Sequence, residues 1–238
     1  MSRVPHSQDA RVQRLIATLI EAGIRDDRVL AVIEHIPREL FVPATFTEHA
    51  YDNTALPIGH GQTVSQPQIV AMMTEALRVN RRMKVLEVGT GSGYQTAVLS
   101  ALSRRVYTIE RYKQLLLEAE ARLAELGVHN VTTRLGDGHK GWPEQAPFDR
   151  IMVTAAADIE VPPALLDQLA IGGILVAPVA ASPIDQRLLA VTRMESGVEI
   201  RDLGPVRFVP LVADSAEPGK KEPVSRAIAR LGRGPKSS

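Results

Sequence analysis

Three glycines stand at alternate positions in the run Val85-Leu86-Glu87-Val88-Gly89-Thr90-Gly91-Ser92-Gly93-Tyr94, and an acid, Glu110, follows twenty-one residues after Gly89. A glycine-rich turn between a strand and a helix lets a ligand approach the backbone. An acidic side chain at the end of the next strand can accept hydrogen bonds from ribose hydroxyls. The spacing is Gly-x-Gly-x-Gly, not Gly-x-Gly-x-x-Gly, and no Walker lysine-plus-hydroxyl ending follows. That pattern favours an adenosyl ligand without a pyrophosphate and points to S-adenosylmethionine. A second carboxylate lies in Gly136-Asp137-Gly138, where Asp137 could accept from an adenine amino group or simply close an Asx-turn. Further on, Thr154-Ala155-Ala156-Ala157 offers neither acid, histidine nor Asn-Pro-Pro-aromatic sequence. This argues against amino-methylation of nucleic-acid bases and against metal-assisted catechol chemistry.

The elements that must position these groups read as parallel βαβ units. From residue 84, short apolar runs alternate with helical patterns: strands at 84–88, 105–109, 131–135, 150–154 and 174–178, helices at 94–103, 112–126 and 163–169. Two more β runs, 187–194 and 198–209, have no clear helix between them, so at least one pair there is expected to be antiparallel. Upstream, Val12, Leu15, Ile16, Leu19 and Ile20 recur at helical spacing with Gly23 placed for a left-handed cap. Asp26 or Asp27 can cap a second helix that Pro37 stops, and a third begins near Pro67. Between 41 and 66 periodicity disappears, and a long ordered loop is expected. The expected fold is α/β: a doubly wound, mostly parallel seven-stranded Rossmann-like sheet with helices on both faces and an N-terminal helical extension. One domain is expected over residues 1–214, with helices and a substrate loop at 8–78 and the α/β core at 83–212. Residues 215–238 form a polar, basic segment expected to be a mobile tail.

Composition narrows the partners. Twenty-eight basic and 27 acidic side chains give a formal charge of +1, too little global field to hold nucleic acid or an anionic membrane. Aromatic residues make up 4% of the chain, which argues against a base-stacking surface. There is no cysteine, so disulfides, thiolate catalysis and cysteine-ligated metals are excluded. No window approaches the ~20 apolar residues needed to span a bilayer. A cytoplasmic protein with no nucleic-acid or membrane partner is expected.

The run Leu56-Pro57-Ile58-Gly59-His60-Gly61-Gln62-Thr63-Val64-Ser65-Gln66-Pro67, with the glycine turn, Gly136–His139 and Arg207-Phe208-Val209-Pro210-Leu211, closely resembles the protein-L-isoaspartate O-methyltransferase family over roughly residues 10–212. Gly61-Gln62-Thr63-Val64-Ser65-Gln66-Pro67 is its most specific part. The resemblance implies an enzyme that uses S-adenosylmethionine, without a metal, to methylate the α-carboxylate of L-isoaspartyl residues in damaged proteins and peptides. The ester then closes to a succinimide, initiating repair. It further implies Ser65 as the active-site serine contacting that carboxylate. Cofactor residues would be Glu87, Gly89, Thr90, Gly91, Ser92, Gly93, Glu110, Arg111, Gly136, Asp137, Gly138, Thr154 and Ala155. Ile58, His60, Thr63, Val64, Gln66, Val209 and Leu211 would join Ser65 on the substrate side. Asp158-Ile159-Glu160 and Ala180 depart from the family pattern in loops outside this motif. A related carboxyl methyltransferase dedicated to one peptide would look alike.

The chemistry suits these residues. A carboxylate, with reference pKa ~4, is already a nucleophile at neutral pH and needs no general base. Transfer from a sulfonium neutralises both partners, so desolvation favours it, and alignment can supply ~7–11 kcal/mol. Ser65 could also serve as the N-cap of the helix entered through Pro67. His60 and His139 are open to proton chemistry, although loop hydrogen bonding is the commoner role of such histidines.

Overall fold

The first two helices of the N-terminal extension begin where an aspartate caps them. The computed structural model describes residues 9–182 and 185–213. Asp9 caps α1 (Ala10–Glu21) by accepting from the Arg11 amide, and Val12, Leu15 and Leu19 form its buried face. Gly23 takes φ 99°, and the Ile24 amide donates back to Leu19, the Schellman closure that a left-handed glycine permits. Of the two candidate caps for α2 (Asp27–His35), Asp26 holds the position, accepting from the Arg28 amide. The loop expected over 41–66 carries more structure than its sequence suggests. After 3₁₀ turns at Arg38–Phe41 and Ala44–His49, strands β1 (Leu56–Gly59) and β2 (Gln62–Val64) form a hairpin. Pro57 and the glycines at its tip hide the alternation that marks a strand. The hairpin leads into α3 (Pro67–Leu77).

The core then runs β3 (Lys84–Val88), α4 (Tyr94–Leu102), β4 (Arg105–Glu110), α5 (Lys113–Glu125), β5 (Val131–Leu135), β6 (Phe148–Val153), β7 (Ala157–Asp158), α6 (Pro163–Asp167), β8 (Leu169–Ser182), β9 (Asp185–Arg193) and β10 (Val198–Pro205). The sheet order is β10-β9-β8-β6-β3-β4-β5. The α/β expectation therefore holds, and its seven strands are those of this path. An eighth, two-residue strand, β7, pairs parallel with β8 at Val179 and Ala180, joining both segments that depart from the family pattern. The strands from β5 to β8 are mutually parallel, whereas β8–β9 and β9–β10 are both antiparallel. β8 begins at Leu169, not near residue 174: Gly172 and Gly173 read as a turn, yet Leu169 already pairs with Phe148.

Alternation along the strands divides the core. Val85, Val106, Met152 and Val176 pack with the buried faces of α1 to α4, while Leu86, Val88, Ile109, Ile151 and Val153 pack with Leu165 of α6. Both faces are covered, as a parallel sheet requires. No helix among the described residues is long and apolar enough to cross a membrane. The boundary at residue 214 and the tail 215–238 lie outside the described residues.

Candidate functional site

The carboxyl edge of β3, β4 and β6 is laced together by its own backbone. At the end of β3 the Gly89 amide donates to Ile109 of β4 at 2.8 Å. Thr154, just past β6, donates its hydroxyl to the carbonyls of Val88 and Gly89 at 3.0 and 2.6 Å. Gly89 has φ 97°, and a Cβ there would stand 2.3 Å from the Thr154 Oγ1; no other residue fits without displacing that lacing. Glu110 is 5% exposed. Its carboxylate accepts from the Gly91 amide at 2.8 Å and from the Arg111 and Tyr112 amides at 2.8 and 3.0 Å. A carboxylate has about four acceptor positions, so capacity remains on the ligand side. Asp137 accepts from the His139 amide at 2.9 Å and faces its Nδ1 at 3.1 Å, closing the 3₁₀ turn Gly138–Lys140. A Cβ on Gly138 would meet Val88 at 2.3 Å and Leu211 at 3.5 Å.

Two segments distant in sequence face this edge. The β1–β2 hairpin lies over the glycine turn: Ile58 is 3.6 Å from a Cβ built on Gly91, and the His60 ring stacks on Tyr112 with centroids 5.1 Å apart. Ser65 follows β2, and its hydroxyl has no protein hydrogen-bond partner among the described residues. The N-cap of α3 is Gln66, with no side-chain cap, so Ser65 does not serve as the cap. The segment is held from behind, where Arg38 Nη2 donates to the Ser65 carbonyl at 2.8 Å. Asn53 and Gln68 also exchange hydrogen bonds.

Opposite the hairpin, the chain leaves β10 as a strap. The buried side chain of Gln186 in β9 accepts from the Phe208 amide at 2.7 Å and donates to the Phe208 carbonyl at 3.1 Å. It thereby reproduces the paired bonds of an antiparallel ladder after the ladder itself has ended. Beyond it the Ala156 amide donates to Val209, the Leu211 amide donates to Ala156, and Arg111 donates to the Val212 carbonyl.

Together these walls enclose a cleft of about 740 Å³. Of the residues read from sequence, it is lined by Thr63, Val64, Ser65, Gln66, Gly89, Thr90, Gly91, Ser92, Glu110, Arg111, Gly136, Gly138, Thr154, Ala155, Val209 and Leu211. Six candidates do not line it, among them His139, which bonds Asp137. Ile58 and His60 reach it through Gly91 and Tyr112. Asp137 braces the Gly138 turn. Gly93 permits close approach of α5, a Cβ there lying 3.1 Å from Ala119. Glu87 is fully buried beneath the glycine turn, accepting from Thr96 and Thr108 at 2.5 and 2.7 Å, and Thr108 in turn bonds Thr90 at 2.6 Å. Burial pushes its carboxyl up to about 8. The sequence reading passed over Thr54, Ala55, Gln95 and Tyr112, which also line the cleft, and the braces Arg38 and Gln186. Among the described residues no group of three or more His, Asp or Glu side chains is arranged to hold a metal ion.

The family profile described as protein-L-isoaspartate(D-aspartate) O-methyltransferase matches residues 10–216. A protein-L-isoaspartate O-methyltransferase of Rhodospirillum centenum is 56% identical over 210 residues, covering 88% of this chain and 95% of its own. One of Parvibaculum lavamentivorans is 60% identical over 205 residues, covering 85% and 92%. Among solved structures, a protein-L-isoaspartate O-methyltransferase superposes with a TM-score of 0.77 at 27% identity, over 85% of this chain and 66% of that one. A putative Plasmodium falciparum protein-L-isoaspartate O-methyltransferase, solved with S-adenosyl-L-homocysteine, is similar at a TM-score of 0.73 and 26% identity, over 88% and 99%.

Proposed function

The chain belongs to the protein-L-isoaspartate(D-aspartate) O-methyltransferase family, and from that premise we propose how its cleft divides the work of the reaction. The protein is an S-adenosylmethionine-dependent methyltransferase that acts on protein substrates and initiates repair of L-isoaspartyl residues. Bound S-adenosylmethionine supplies an electrophilic methyl group on a sulfonium.

The glycine edge suits that ligand. Gly89 and Gly138 keep clear the space that a Cβ would fill, and the buried Glu110 carboxylate lines the cleft with acceptor capacity to spare, where ribose hydroxyls can donate to it. Gly89, Thr90, Gly91, Ser92, Glu110, Arg111, Gly136, Gly138, Thr154 and Ala155 form the cofactor wall. Asp137, Gly93 and Glu87 shape it from behind. Ser65 donates to one oxygen of the substrate α-carboxylate, leaving the other directed across the cleft. Thr63, Val64, Gln66, Val209 and Leu211 flank the peptide, and Ile58 and His60 cover the turn. No base is required, because the nucleophile is already an anion at neutral pH. The walls instead exclude water and align the reactants. Isoaspartyl proteins and peptides are the partners in this reading, and the cytoplasm is its setting.

The observation that carries this division is Ser65, whose hydroxyl has no partner among the described residues, lining the same cleft as Glu110. The test is methyl transfer from labelled S-adenosylmethionine to two peptides identical except for L-isoaspartate in place of L-aspartate. Base-labile label on the isoaspartyl peptide alone is expected. Label on neither, with cofactor binding intact, would replace the general repair substrate with a dedicated peptide.

A further inference from the structure

Arg38 is a guanidinium with no exposed surface. Its Nε donates to the Ala50 carbonyl at 2.8 Å and its Nη2 to the Ser65 carbonyl at 2.8 Å. Its carbon lies 4.7 Å from the centre of the Tyr94 ring, and its Nη1 has no hydrogen-bond partner among the described residues. No carboxylate lies within ion-pair distance of it among the described residues. Glu39, its neighbour in sequence, accepts instead from the Tyr51 hydroxyl. Buried charges are ordinarily paired, and an arginine cannot shed its proton. Among the described residues the guanidinium is therefore a cation without a paired carboxylate, directly behind the segment assigned to the substrate carboxylate.

The Ser65–Gln66 peptide group connects the two sides. Its carbonyl is gripped by Arg38, and because the bond is trans its N–H points the opposite way. That N–H has no protein partner among the described residues, and Ser65 and Gln66 both line the cleft. A cation on the carbonyl polarises the amide and strengthens its donor end. Gln66 also caps α3, an 11-residue helix whose own dipole is positive there.

We propose that Arg38 is the counter-cation of the substrate: a positioning residue that draws the isoaspartyl α-carboxylate to Ser65 through the polarised Ser65–Gln66 peptide, without touching it. The proposal rests on the reading of Ser65 given above. It also predicts selectivity by charge, since a neutral group of the same shape would leave the buried cation uncompensated.

The test uses two peptides of one sequence, carrying either L-isoaspartate or its α-carboxamide, L-isoasparagine. Each is titrated calorimetrically into the enzyme saturated with S-adenosylhomocysteine, so no transfer occurs. The wild type is expected to bind the acid about tenfold or more tightly than the amide, the scale of a hydrogen bond made to a charged group. Arg38→Gln is expected to lower that ratio by about tenfold, and Arg38→Lys to restore most of it. Loss of packing alone would weaken both peptides and leave the ratio unchanged, and that outcome overturns the proposal. Should Arg38→Gln not fold, the wild-type ratio measured from about 0.05 to 0.5 M NaCl decides. A buried cation is poorly screened and the ratio should persist, whereas its collapse would assign recognition to exposed charges such as Arg207. Ser65→Ala separates the two readings. Lost turnover with an unchanged ratio in Arg38→Gln refutes only the role of Arg38; unaffected turnover in Ser65→Ala removes the site on which that role depends.

Discussion

The two walls of the cleft hold their groups by different means. On the cofactor side, Gly89, Gly91 and Glu110 belong to one βαβ unit, and bonds between adjacent strand ends, each with a main-chain group at one end at least, set the distances: the Gly89 amide to the Ile109 carbonyl, the Gly91 amide to the Glu110 carboxylate, the Thr154 hydroxyl to the Val88 carbonyl. On the substrate side, Ser65 and the strap at 206–212 come from opposite ends of the fold. Each is gripped by a buried polar side chain, Arg38 on the Ser65 carbonyl and Gln186 on both polar groups of Phe208, with further ties from Asn53 to Gln68 on one side and from Ala156 and Arg111 to the strap on the other. A wall made of backbone fails when an atom is added. A wall made of tethers fails when an atom is removed.

The largest effect expected from this contrast is at Gly89. An alanine there takes a backbone conformation costing ~1–2 kcal/mol and drives its Cβ into Thr154, 2.3 Å away, breaking hydrogen bonds worth ~1 kcal/mol each. At ~1.4 kcal/mol per tenfold, the dissociation constant of S-adenosylhomocysteine should rise about 100-fold in Gly89→Ala. Calorimetry returning a change under about threefold would show that this edge is not the rigid cradle its geometry describes.

Ser65→Ala tests the facing wall from its tip. A hydrogen bond to a charged group contributes ~1.5–3 kcal/mol, so turnover on an isoaspartyl peptide should fall about 10- to 100-fold. Cofactor affinity and melting temperature should stay close to wild type, because the hydroxyl bonds nothing among the described residues. A loss of stability with turnover of the folded fraction intact would make the serine structural and leave the wall without a chemical group.

Gln186→Leu tests the same wall from its root. Removing two hydrogen bonds of ~1 kcal/mol each frees the strap at Phe208, and the peptide KM should rise roughly tenfold while the dissociation constant for S-adenosylhomocysteine changes little. If both constants move together, the strap belongs to the cofactor wall through Leu211 and Gly138, and the division drawn here is misplaced.

The contrast also accounts for what the sequence disclosed. Gly89 and Glu110 stand at turn and strand-end positions whose spacing has a physical meaning, so the cleft edge they line could be singled out with strand order still unknown, whereas Asp137, read with them, lies behind that edge. Gln186 carries no such mark. It is a polar residue in an alternating strand, where exposure is the ordinary expectation, and its burial depends on a strap that returns twenty residues later. Arg38 stands between Pro37, read as a helix stop, and the loop expected from residue 41, and nothing local announces a fully buried guanidinium. The hairpin at 56–64 escaped for a related reason, since Pro57 and Gly59 are turn-forming residues whose strand conformation is set by what they cover. Local chemistry was legible, whereas contacts closing over long sequence separations were not.

Glu87 gives the smallest expected effect on turnover and the sharpest check on where the cofactor wall ends. Its carboxyl is raised by burial from 4.5 to about 8, with Glu110 adding to the rise and the Thr96 and Thr108 hydroxyls opposing it. The folded protein thus holds a proton there that the unfolded chain releases near pH 4.5. The associated stability is complete below that pH, declines as pH rises, and is gone above about 8. Its ceiling is on the order of 5 kcal/mol, at ~1.4 kcal/mol per pH unit of separation. Glu87→Gln is isosteric with the protonated acid and keeps an oxygen for both threonines, so its melting temperature should fall less steeply than that of wild type between about pH 5 and 8. Its cofactor affinity should stay within about twofold at neutral pH, because among the described residues the Glu87 side chain meets the glycine turn through the Thr108 and Thr90 hydroxyls. A tenfold loss of affinity with parallel melting curves would reverse the assignment: Glu87 would then be an ionised group acting on the ligand directly, and the cofactor wall would depend on a side chain as much as the wall that faces it.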